Sequence, residues 1–91
     1  MQTTTAQNEI EVKVTFPITT HGSFERTVSK ETTIGTVLAE AMKHFEVRDE
    51  SQFTYVLTDD GKELNPTATV GSITEHEREV KFTLVKKITQ G

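Results

Sequence analysis

Residues 30–47 read KETTIGTVLAEAMKHFEV. Ile34, Val37, Leu38, Ala41, Met42 and Phe45 recur at spacings of three and four, which predicts a helix with one apolar stripe. Thr33 sits where an N-cap belongs, and Lys43 and His44 fall near the negative end of the helix dipole. Nowhere else does the chain show this period. A lone amphipathic helix cannot bury its stripe against itself, so the rest of the sequence must supply a sheet for it to lie on.

The flanking segments do so. In EIEVKVTF (9–16), Ile10, Val12, Val14 and Phe16 alternate with Glu9, Glu11, Lys13 and Thr15, the period of a strand with one wet face. Pro17 stops it, and PITTHGS supplies a turn around Gly22. FERTVS (24–29) alternates again, with Phe24 and Val28 inward and Arg26 the least regular, so the two strands predict an antiparallel hairpin. After the helix, RDESQ is a polar loop. FTYVLT (53–58) puts Phe53, Tyr55 and Leu57 on one face, DDGK turns, and KEL resumes a short strand centred on Leu64. NPTATVGSI (65–73) reads as irregular, broken by Pro66 and Gly71, with Val70 and Ile73 as anchors. EHERE is a charged turn. VKFTLV (80–85) alternates with Phe82 and Leu84 inward and Lys81, Thr83 and Val85 outward.

The element order is therefore β-β-α-β-β-β. This is an α+β domain with a mixed sheet of four to five strands and one helix packed across it. Its helix stripe, Ile34, Val37, Ala41 and Phe45, should grip Val12, Val14, Phe82 and Leu84. The other sheet face carries Glu11, Lys13, Thr15, Thr54, Thr58, Lys81 and Thr83 and can stay in water. Residues 1–8, polar and aperiodic, read as a disordered arm, 9–87 as the folded domain and 88–91 as a flexible tail.

Composition narrows the function classes. At 91 residues the chain is one domain. It has no cysteine, which removes thiol nucleophiles, thiolate metal sites and disulfides. A net charge of −4 argues against nucleic-acid binding, which needs clustered Lys and Arg; Lys86-Lys87 is the only locally basic pair. The first residues lack the features of a secretory leader and no stretch is long enough to span a bilayer. A soluble, cytoplasmic monomer without membrane contact is expected.

No catalytic machinery is visible. DDGKE stops after two aspartates, short of a calcium loop, and Asp-Gly favours a tight turn. His21, His44 and His76 have no second ligand at metal spacing. No glycine-bracketed serine or phosphate-binding loop appears. Neither enzyme activity, cofactor nor metal is expected.

The stretches TTIGTV at the helix start, DDGKEL at the turn into the short strand, TVGSI before the last loop and VKFTLVKKITQG at the end occur in an order that resembles the ubiquitin-like β-grasp family over residues 9–91. The corresponding features in ubiquitin are a Thr-Ile-x-x-Val helix start, a Gly-Lys-x-Leu turn, a Thr-Leu-x-x-x-x-Ile segment and a Leu-x-Leu-Val strand leading to Arg-Gly-Gly. The resemblance implies a protein modifier or carrier whose terminal glycine, here Gly91, is activated by a partner adenylating enzyme. Glycine suits a terminus threaded into a narrow channel, because a Cβ would obstruct the approach. It also implies a partner-binding surface at Val85, Lys86, Lys87 and Thr58, for an activating or conjugating enzyme or a scaffold. Two positions depart from the pattern: Gln90 replaces the first glycine of the diglycine, and Thr58 stands where ubiquitin exposes an isoleucine. The alternative is a non-conjugated adaptor that binds proteins through its sheet face.

Overall fold

The computed structural model describes residues 9–18, 22–74 and 77–88. Strands β1 (Glu9–Thr15) and β2 (Ser23–Ser29) form the antiparallel hairpin. Helix α1 (Ile34–Phe45) follows, then β3 (Phe53–Asp59), β4 (Lys62–Glu63), a short helix α2 (Val70–Thr74) and β5 (Glu79–Ile88). The five strands make one mixed sheet in the order β2-β1-β5-β3-β4. Its centre is the parallel pair β1–β5, and β3 runs antiparallel to β5.

Helix α1 forms where the three-and-four spacing places it. The Thr33 hydroxyl accepts the Thr36 N–H at 3.2 Å, satisfying one of the free donors at the helix start. At the other end Glu46 takes φ 60, and its N–H closes onto the Lys43 carbonyl. Ile34, Val37, Ala41 and Phe45 are buried against Ile10, Val12, Val14, Leu57, Val80, Phe82 and Leu84. Phe16 joins them between the rings of Phe45 and Tyr55, at centroid distances of 5.4 and 5.8 Å. Each such side chain contributes roughly 1.5–3 kcal/mol on burial.

The expected irregular stretch 65–73 is a correction: it ends in the helical turn of α2. Its chain is tied to the start of α1 by backbone bonds from Ile34 to Ala68 and from Gly35 to Pro66, both at 2.8 Å. The Thr69 hydroxyl accepts the Ser72 N–H at 3.2 Å, and Val70 is fully buried. Five residues are too few to display a helical period, which is why the pattern hid it. Gly71 is demanded by close approach. A Cβ there would stand 2.8 Å from the Lys30 Cβ and 3.0 Å from the Lys30 carbonyl oxygen.

Smaller differences follow from pairing. The short strand is Lys62–Glu63, and Leu64 lies just beyond it, half-buried, with its N–H donating to the Leu57 carbonyl at 2.9 Å. Asp60 and Gly61 take φ 55 and 85, so this Asp-Gly pair makes the two-residue hairpin turn that needs positive φ at both positions. Glu79, read as part of a charged turn, opens β5, because it pairs with Glu11 of β1. The same strand continues through Ile88, read as tail, because β3 begins at Phe53 and offers it a partner. Arg26 lies on the helix side of β2 yet stays exposed, reaching across to Glu40 of α1 at 3.3 Å. The expected arm at residues 1–8, with His21, Glu75, His76 and residues 89–91, lies outside the described residues.

Candidate partner-binding face

Helix and core occupy one face of the sheet and leave the other open. Alternation along β5 sends Val80, Phe82 and Leu84 into the core and Lys81, Thr83, Val85 and Lys87 to the open face. On β3 the open-face residues are Thr54, Val56 and Thr58. Antiparallel register then sets Val56 directly opposite Val85, Thr58 opposite Thr83, and Thr54 opposite Lys87. Val85 is 36% exposed, and with half-buried Val56 it forms a small apolar island. The Thr58 hydroxyl donates to the Thr83 carbonyl at 3.4 Å on one side of the island. Lys87 flanks the other side, its ammonium 2.9 Å from Glu63 Oε1. Both ends of that ion pair are half exposed, so it contributes between about 0 and 1 kcal/mol and leaves both groups available to a partner.

Three of the four expected partner-binding residues therefore converge: Val85, Lys87 and Thr58. Lys86 stands apart from them. The one-residue step of the strand turns it to the helix side, where its ammonium lies 4.0 Å from the centroid of the Phe53 ring. Val56 was missed. Its signal was present, since the alternation that buries Phe53, Tyr55 and Leu57 must send Val56 outward. Only the β3–β5 register, however, puts it against Val85. Gly91 lies outside the described residues. Among the described residues no three acidic or histidine side chains gather as a metal site. None of their helices is long and apolar enough to cross a membrane.

This architecture is that of known ubiquitin-like proteins. The ubiquitin of Caldiarchaeum subterraneum superposes with a TM-score of 0.72 at 20% identity, over 91% of this chain and 99% of that one. A protein solved in a study of molecular mimicry of SUMO that promotes DNA repair gives 0.66 at 17% identity, over 86% and 91%. Trypanosoma brucei ATG8 gives 0.68 at 12%, over 92% and 78%. No curated protein sequence matches the chain. A family model, BilA ubiquitin-like domain 2, matches residues 11–87, from the first strand to the edge of the open-face island. With its helix-on-sheet core and nearly all of its described length inside that match, the chain belongs to the BilA ubiquitin-like domain 2 family.

Proposed function

We propose that this domain acts by being bound, as a ubiquitin-like protein modifier or carrier whose Gly91 carboxylate is activated by a partner adenylating enzyme. The supporting observation is the course of β5. The inward residues of the strand, Val80, Phe82 and Leu84, are buried, and its last four, Val85 to Ile88, are exposed, Ile88 at 68%, so the described part of the chain ends in solvent and not in the core. Three residues span at most about 10 Å, the reach that a terminal carboxylate would need to enter a partner's site. The domain supplies recognition, and the chemistry belongs to the partner enzyme. Incubation with ATP and candidate activating enzymes should give a thioester adduct visible by mass spectrometry, and deletion of Gly91 should abolish it. An adduct that survives the deletion, or none with any enzyme encoded beside this protein, would reject the reading.

The exposed Val56–Val85 pair favours a second reading, an adaptor that binds proteins through its open face without conjugation. In that case Val56→Lys or Val85→Lys would abolish partner capture, and removal of Gly91 would leave it intact.

A further inference from the structure

The open face carries a second feature, away from the Val56–Val85 island. In the parallel register of β1 and β5, Glu11 stands directly opposite Glu79, and one step along both strands Lys13 stands opposite Lys81. Like charges facing each other across a ladder are destabilising, and here two such pairs lie in adjacent rows about 7 Å apart along the strands. The diagonals, Glu11 to Lys81 and Lys13 to Glu79, are attractive and within reach of long side chains, but among the described residues neither closes into an ion pair. The one ion pair Lys13 makes among the described residues is a loose 3.9 Å contact with Glu25 on β2. These side chains border a shallow trough of about 450 Å³, which leaves space for long side chains from a facing surface.

A square of two acids beside two bases is self-complementary under one operation. Take a two-fold axis lying in the plane of contact and running across the strands, between the two rows. It sets β1 over β1 and β5 over β5 with reversed direction, so the acidic row of each copy meets the basic row of the other. Glu11 then faces Lys13 of the second copy, and Glu79 faces Lys81, each contact occurring twice. An axis along the strands would instead stack acid on acid, so charge selects one orientation. We infer that the open face over β1 and β5 is the contact of a weak, isologous dimer of this chain, held by reciprocal Glu11–Lys13 and Glu79–Lys81 pairs.

The contact is independent of Gly91 and of the Val56–Val85 island. Each copy carries a net charge of −4, which repels at long range. At an ionic strength of about 0.1 M the screening length is about 10 Å, so that repulsion is damped while charge pairs in contact persist. High salt should then weaken the dimer.

Sedimentation equilibrium of the full chain at this ionic strength tests the inference. The protein should show a reversible monomer–dimer equilibrium. K13E/K81E and E11K/E79K should each weaken self-association about tenfold or more. An equimolar mixture of the two should restore it as a heterodimer, because each row again meets its opposite. Circular dichroism checks folding, and the milder K13Q/K81Q variant decides the question should a reversed variant fail to fold; it too should weaken association. A protein that stays monomeric at high concentration would overturn the inference. So would a dimer indifferent to these substitutions, assembly beyond dimer, or folded charge-swapped variants that do not combine.

Discussion

Thr74 buries its hydroxyl at the end of α2, and Oγ1 has no hydrogen-bond partner among the described residues. An unpaired buried hydroxyl costs roughly 1–3 kcal/mol in desolvation. Thr74→Val keeps the shape and removes the polar group, so it should raise stability by about 1 kcal/mol. In urea the midpoint should rise with an unchanged slope; a fall would mean that the hydroxyl is paired in solution. Gly71 presents the opposite case. Gly71→Ala drives a methyl against the Lys30 backbone and should destabilise by about 1–3 kcal/mol, read from the same titration. Neither site could be weighed from sequence. Gly71 read as a breaker and Thr74 stood outside every pattern, because what lies against a side chain depends on segments distant in the chain.

At the scale of elements, the helix and the long strands were legible because each carries enough residues to display its period. α1 shows its stripe over twelve residues, and β1, β3 and β5 alternate cleanly. β4, with two residues, and α2, with five, are too short to show any period and exist through bonds to neighbours. The cap is a local device, and it too was legible. Thr33→Ala removes the acceptor for the Thr36 N–H and should cost about 1 kcal/mol, seen as a lower thermal midpoint with helix content retained below it. A loss within error would show that another group caps α1. The hairpin edge behaves differently. Arg26 broke the expected inward pattern because β2 is the outermost strand on its side of the sheet, so a long side chain can pass beside the helix and keep its charge in water.

For the molecule as a whole, one face of the sheet carries the core and the other stands open, and the proposed function puts recognition on the open one. Leu84 and Val85 are neighbours in sequence but lie on opposite sides. Leu84→Ala should cost about 2–5 kcal/mol by opening a cavity beneath α1, a large part of the 5–15 kcal/mol typical of a folded domain. Val85→Lys, on the open face, should change stability by less than about 0.5 kcal/mol while disrupting partner binding. Paired thermal melts and partner-capture assays on the two variants check this division; a destabilised Val85→Lys would place that residue in the core instead.

Local order along the chain was enough to establish which residues turn inward, that one helix must lie on a sheet, and that no thiol or clustered base is present. Those properties depend on alternation, capping and composition, which act between near neighbours. Strand order, register and face were decided by tertiary structure alone. They placed Val56 against Val85, turned Lys86 onto Phe53, and set Glu11 beside Glu79 and Lys13 beside Lys81. The reason is geometric: a strand's period says which residues share a side, but only its hydrogen-bonded partner says what stands across from them.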